Sequence, residues 1–412
     1  MRSSRQYGFS DHGGFPMDFY RILFSCSIAA LSSAAAMAVL YRYAEALGLV
    51  DRPSERKKHI GNIPLIGGLS VFFGVLVGAG FAGQSPLFVN CMLGTAAVLA
   101  LVGALDDRFD LSVRARLLVQ TGAVLTMVGC TGVYVHTLGH LFGYHLELGV
   151  FGIPLTVVAV IGLLNAFNMM DGIDGLAGML ALVSVGAIML YQGLSHWQGI
   201  FVLLLLVAAL LPYLAANLGL AGRKIFLGDA GSMVVGYLLA WMLIKLSQDG
   251  EPQLSTIDVL WCVALPLLDT LAVMVRRLRE GKSPFKPDRG HIHHLMLNAG
   301  LTPRAALTAL VALAVALALI GRVTRVFTPG SNLLAFGALA LIYITAHGRV
   351  WRLQQARSSS STVRTSAQLP RMEVSVSALL SSQTAMHAFE HRSDGVKIGA
   401  GAKRTADSSL EQ

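Results

Sequence analysis

Charge is what this sequence has least of. Asp, Glu, Lys and Arg make up 13% of the 412 residues against 54% hydrophobic ones, and mean hydropathy is +0.62. A soluble domain carries about twice that charged fraction, so a water-soluble globule is excluded and lipid is the solvent to reason in. Cysteine is equally sparse. Cys26, Cys91, Cys130 and Cys262 all fall in apolar stretches without paired spacing, which excludes a disulfide framework or a thiolate zinc site and leaves them as small core residues. A Walker loop, a dinucleotide-binding glycine fingerprint and any solenoid-type repeat are also missing, so coupling to ATP hydrolysis has no support. The net charge of +9 would fit nucleic acid, but no basic helix carries interleaved aromatics, and no nucleic-acid partner is expected.

What is present is a series of long apolar runs. A helix crossing the hydrocarbon core needs roughly 20 mostly apolar residues, because its backbone polar groups must be satisfied within the segment. About eleven runs meet this, near 20–41, 65–83, 87–105, 116–135, 149–166, 175–192, 199–216, 232–247, 257–275, 305–321 and 331–348. The expected fold is all-α, a polytopic membrane protein of about eleven transmembrane helices. The first run exceeds a signal-peptide core and reads as an uncleaved span, although its Ser-Ser-Ala-Ala-Ala resembles a cleavage site.

Lys and Arg divide the connecting loops into two sets. One holds Arg42, Arg52, Arg56, Lys57 and Lys58, then Arg108, Arg114 and Arg116, then Arg223 and Lys224, then the stretch from Arg276 to Arg304; the alternate set is nearly free of them. The positive-inside rule puts the first set in the cytoplasm of a bacterial cell, the N-terminus in the periplasm and the C-terminus inside. Arg322 and Arg325 run against the pattern. Residues 1–18 read as a polar extension, with Met17 a second candidate start, and 19–352 as the membrane domain. Residues 353–412, rich in Ser, Thr and Gln, read as a disordered cytoplasmic tail.

The sharp motifs all fall in the positive set of loops or at its helix ends. Arg56-Lys57-Lys58-His59 precedes Pro64 and the pair Gly67-Gly68, and reads either as a positive-inside anchor with close-packing glycines or as a cationic lip for a phosphate. Asp106-Asp107 closes the third run, where adjacent carboxylates repel unless they share a cation or proton. Asn165, Asn168, Asp171, Gly172, Asp174 and Gly175 crowd into one inter-span segment, and Asp171 and Asp174 would share a face in a helical first turn. Asn217 and Lys224 lead to Gly228-Asp229-Ala230-Gly231, whose glycines would let a ligand approach the backbone. A basic loop ends in His291-Ile292-His293-His294, and without partner cysteines it suits phosphate better than zinc. Five acids facing several cations describe a site for a hard divalent metal and phosphates, with Mg²⁺ expected and Mn²⁺ an alternative.

In motif order over residues 45–300 the chain resembles the polyprenyl-phosphate N-acetylhexosaminyl-1-phosphate transferases, most closely the undecaprenyl-phosphate N-acetylglucosaminyl-1-phosphate branch. The resemblance implies transfer of a sugar-1-phosphate from a UDP-N-acetylhexosamine to undecaprenyl phosphate with release of UMP, at the cytoplasmic face of the inner membrane. It implies Asp106 and Asp107 as the catalytic pair, one of them the base, and Asp229 with Asn168 as metal ligands. Asp171 and Asp174 would lie near nucleotide and sugar; Lys57, His59, Arg116, Asn165, Asn217, His291 and His293 complete the substrate-binding set. A homodimer stays open. Two rivals remain: the same reaction with another UDP-N-acetylhexosamine, and an ion-coupled transporter, against which the gathering of acids at one face counts.

Overall fold

The computed structural model describes residues 19–52, 61–83, 85–193, 199–248, 253–284 and 288–368, with side chains up to residue 357. The helices are α1 (Phe19–Leu47), α2 (Gly67–Phe81), α3 (Leu87–Phe109), α4 (Val113–Thr131), α5 (Gly152–Met170), α6 (Leu176–Gln192) and α7 (Phe201–Asn217). After them come α8 (Gly228–Gln248), α9 (Thr256–Cys262), α10 (Ala264–Arg279), α11 (Ile292–Asn298), α12 (Pro303–Thr324) and α13 (Pro329–Gln368). Two antiparallel ladders are the described strands: β1 (Val50–Asp51) with β2 (Ile63–Pro64), and β3 (Thr137–Leu141) with β4 (Tyr144–Glu147). Residues Met1–Gln354 form one compact unit; of the second, Gln355–Gln412, the structure describes the helical stretch that ends at Gln368. Helix therefore runs past the boundary expected at 352, and the rest of the expected disordered tail lies outside the described residues.

Each of the eleven apolar runs overlaps a helix or, for the ninth, a pair of helices, although the runs at 65–83 and 116–135 extend past the ends of α2 and α4. Among the described residues, six helical segments are long and apolar enough to cross a membrane, those built on α1, α3, α5, α8, α12 and α13, and α9–α10 adds a seventh if counted as one bent span. Helices α2, α6 and α7 are apolar but shorter, and α4 opens on Arg114 and Arg116. The expectation of one straight ninth span over 257–275 is corrected: α9 and α10 meet at 83°. The cause is Pro266, which lacks an N–H and whose ring excludes the carbonyl four residues back, at Cys262, where α9 stops.

Helix α8 is apolar all round and almost wholly buried, so it forms the axis of the bundle. Its N-terminus is clasped through small residues. A Cβ on Gly68 would lie 2.0 Å from the Gly231 nitrogen, and one on Gly103 would lie 2.4 Å from the Ala230 Cα, so α2 and α3 touch its backbone directly. The glycine at 231, expected to admit a ligand, instead admits a helix. Three backbone hydrogen bonds pin the approach to α8: Phe226 N–H to Pro64 O, Gly67 N–H to Phe226 O and Gly68 N–H to Leu227 O, at 2.8, 2.9 and 2.8 Å.

Arg325 has a structural partner. Its Nε lies 3.3 Å from Oδ2 of the buried Asp258, the residue that closes a capping box with Ser255 at the start of α9, and its guanidinium also covers the Tyr191 ring. A cation needed to neutralise a buried carboxylate says nothing about sidedness, which accounts for its breach of the loop pattern. At the same end, the β3–β4 hairpin is tied to α8 by Gln248, whose Oε1 accepts the His136 and Thr137 N–H groups at 3.0 and 3.1 Å.

Candidate active site

At the opposite end of the bundle the C-terminus of α3 meets the N-terminus of α8. Asp107 accepts the Asp229 N–H at 2.9 Å on Oδ1 and the Ala230 N–H at 3.4 Å on Oδ2, so its carboxylate caps the positive end of α8. Gly228, at φ 72°, makes room: a Cβ there would stand 2.5 Å from Asp107 Oδ2. Asp106 points elsewhere, its oxygens held at 2.7 Å by the Leu111 N–H and by Arg116 Nη1. The same Arg116 nitrogen lies 3.7 Å from Asp229 Oδ2. Asn168, near the end of α5, donates from Nδ2 to Asp229 Oδ1 at 2.7 Å and to Ser232 Oγ at 3.0 Å.

Two of the three carboxylates, Asp106 and Asp229, thus share Arg116 as an ion-pair partner, while Asp107 is met by backbone N–H groups. No group of three or more His, Cys, Asp or Glu side chains converges to hold a metal unaided among those residues. A net negative cluster with few convergent ligands fits Mg²⁺, which takes one or two carboxylates and completes its shell with water and substrate phosphate. Asp229 and the Oδ1 of Asn168 are the groups in this cluster that could hold such an ion.

Asp171 and Asp174 do not occupy a helical first turn as expected. Asp171 caps the C-terminus of α5, and the turn through Asp174 ends at Gly175 (φ 77°), where α6 begins. Burial, then the charges of Asp229 and Asp174, push the Asp171 carboxyl up to about 7. Asp174 pairs with Lys224 at 2.7 Å. Asn217 braces this pair from below, accepting the Gly175 N–H at 2.5 Å and donating to Ile225 O at 2.8 Å. Asn165 donates to Gln120 Oε1 and to Ile161 O.

The histidine segment packs against this turn. His291 Nδ1 lies 2.7 Å from Asp269 Oδ2, both residues buried, while the Asp269 Oδ1 accepts the Ile292 N–H at 2.9 Å. His293 is 1% exposed, and among the described residues neither of its ring nitrogens has a hydrogen-bond partner. Burial, then the neighbouring His294 and His291, push it down to about 3, so it is a neutral imidazole at physiological pH. A Cβ on Gly172 would stand 2.0 Å from its Nε2. Asp288 bridges Arg276 and Arg277, the latter at 2.5 Å. Burial opposes its ionisation, but the two guanidiniums hold its carboxyl below the usual range.

Part of this set, but not Asp106, Asp107 or Asp229, lines a cavity of about 670 Å³. Its polar end presents Arg116, Asn168, Asp171, His291 and His294; its apolar length runs between α5, α8 and the α9–α10 bend, past Val158, Leu243 and Leu267.

The family model described as "Glycosyl transferase family 4" matches residues 89–247. An undecaprenyl-phosphate alpha-N-acetylglucosaminyl 1-phosphate transferase of Yersinia pestis is 43% identical over 335 residues, covering 78% of this chain and 90% of that protein. Proteins of the same description from Escherichia coli O157:H7 and Haemophilus influenzae are 41% and 39% identical, over 76% and 74% of this chain and 87% and 88% of their own lengths. The chain belongs to glycosyl transferase family 4.

Of the residues singled out in this family member's sequence, Asp106, Asp107, Arg116, Asn168 and Asp229 are joined in one cluster by hydrogen bonds and the Arg116–Asp229 ion pair. Asp174 and Asn217 form the adjoining brace, and Asn165, Asp171, His291 and His293 line the cavity. Lys57 and His59 lie outside the described residues. Sequence reasoning passed over Asp269, and it noted Gly172 only as part of its motif. Asp269 had a usable signal, since an ionisable residue inside an apolar run marks a functional site by default. The need for a bare Cα at Gly172 had none, because it comes from a histidine more than a hundred residues away.

Proposed function

We propose that this protein transfers N-acetylglucosamine-1-phosphate from UDP-N-acetylglucosamine to undecaprenyl phosphate, releasing UMP. The observation that carries this is the cavity, one space with a charged end and an apolar length. An acceptor with a phosphate head and a polyprenyl chain has that shape and polarity. The relatives' names point to the same acceptor and sugar.

In this reading an acceptor phosphate oxygen attacks the phosphorus that bears the sugar, and the bond from that phosphorus to the oxygen of the departing UMP breaks. Asp107, at the mouth of α8, takes the acceptor's proton. Arg116 and His291 hold the acceptor phosphate, with Asp269 engaging His291 Nδ1 and so leaving Nε2 as the ring nitrogen for an oxygen. Asp171 and the Asp174–Lys224 pair face the donor, beside a second cavity of about 220 Å³ that Arg304 also lines. Bound Mg²⁺ would supply neutralisation of the donor's phosphate charge, held by Asp229 and Asn168. What remains for the protein is positioning and electrostatic stabilisation, the main part of phosphoryl-transfer catalysis.

We place the chain in a bacterial inner membrane with eleven spans, the N-terminus periplasmic and the site cytoplasmic. The charge asymmetry of the loops supports this, as does the gathering of the motifs at one end of the bundle. The test is UMP release by purified protein across a panel of UDP-sugars, with and without undecaprenyl phosphate and Mg²⁺. Release with UDP-N-acetylglucosamine that needs both is the expected result; release without acceptor, or with none of the sugars, contradicts it.

A further inference from the structure

Helix α13 is an odd member of the bundle. Of its most apolar stretch only 11% is buried, so it adds little to the core. Its polar groups tell another story. Tyr343, His347, Trp351 and Gln354 recur at helical spacing on one face; His347 and Gln354 reach the segment that carries the histidines, and Tyr343 and Trp351 reach α10 beside it. The Tyr343 hydroxyl donates to Asp269 Oδ1 at 3.2 Å, and His347 Nε2 lies 2.7 Å from the Gly290 carbonyl and 3.9 Å from Asp269 Oδ1. Trp351 Nε1 donates to Glu280 Oε1 at 3.2 Å while its ring carries the Arg276 guanidinium 4.1 Å above the centroid. Gln354 Nε2 donates to Leu295 O at 2.8 Å.

Gly290 immediately precedes His291, Leu295 lies in the helix that follows it, and Asp269 holds its ring. We infer that the cytoplasmic end of α13 is a strap that positions His291 for phosphate, with Tyr343 and His347 as positioning residues acting through Asp269 and the Gly290 carbonyl. The physical reason is that a single Asp–His contact leaves the backbone under the histidine free to shift. A bond to the carbonyl before it and another to its carboxylate partner remove that freedom. A catalytic imidazole displaced by about 1 Å loses much of its effect. This rests on the proposed phosphate-holding role of His291.

The test compares His347→Ala, His347→Gln and Tyr343→Phe in the full-length protein. A Gln amide can still donate to Gly290 O; Ala cannot. Steady-state UMP release is measured alongside the melting temperature and diethylpyrocarbonate modification of His291, located by peptide mass spectrometry. His347→Ala should lower kcat roughly 10- to 100-fold with KM for UDP-N-acetylglucosamine unchanged, and modify faster at His291. His347→Gln should restore most of both, and Tyr343→Phe should fall between. Unchanged kcat and unchanged modification in His347→Ala overturn the strap, as does a loss that tracks the melting temperature and that Gln does not rescue. If modification responds as expected while kcat does not, the strap stands and the phosphate-holding role of His291 falls.

Discussion

Asp107 and Asp229 are both carboxylates at the mouth of α8, yet they face different tasks. Asp107 accepts backbone N–H groups, whereas Asp229 bonds Asn168 and approaches Arg116. Their removal should therefore differ in kind. Asp229→Asn keeps the size and removes the charge, so turnover should fall about 10²-fold or more and Mg²⁺ should be used more weakly. Asp107→Asn should abolish turnover while calorimetry still detects donor and Mg²⁺ binding. Wild-type turnover of Asp229→Asn at low Mg²⁺ would remove it as the metal ligand. Asp171 supplies a pH test. Because its folded carboxyl is raised from 3.8 to about 7, the folded state binds more protons than the unfolded one across that interval, and stability should decline as pH rises through it. In chelator-treated protein Asp171→Asn should flatten this decline, read as melting temperature from pH 5 to 8; an unchanged slope refutes it. Gly172→Ala should lower kcat roughly tenfold or more, because the new methyl meets the enclosed His293 ring. At this scale the acids were legible in the sequence, since carboxylates at span ends are conspicuous. The neutral state of His293 was not, because burial made by the fold, rather than residue type, sets it.

Among the elements, the apolar runs announced the helices by hydropathy alone, and each run overlaps helix while missing some of its ends. The break between α9 and α10 was legible only to a reader who weighed Pro266 over the surrounding hydropathy, and the glycine clasp around α8 needed tertiary contacts that no local pattern encodes. Arg325 shows the reverse error, a basic residue read as a topology signal that the fold uses to neutralise Asp258. Arg325→Met should leave the orientation of the protein unchanged and lower its melting temperature by several degrees, since it strands a buried carboxylate at a cost of about 3 kcal/mol. Reversed labelling of flanking loops would restore it to the topology signals.

For the whole molecule, two features have to share one side of the membrane: a site for a water-soluble nucleotide sugar and the loops that carry Lys and Arg. In a cysteine-free background, a cysteine at Gly139 should react with a membrane-impermeant reagent from the periplasm and one at Lys282 only after lysis. Labelling of position 282 from outside would reverse the arrangement. The chemistry itself is tested most directly by following the donor's phosphorus. UDP-N-acetylglucosamine labelled with ³²P in the phosphate next to the sugar is incubated with the purified protein, undecaprenyl phosphate and Mg²⁺. Transfer of the sugar-1-phosphate carries the label into the lipid fraction in step with unlabelled UMP in the aqueous one. Label that stays in aqueous UDP, while the sugar alone moves to the lipid, would contradict phosphoryl transfer at this site.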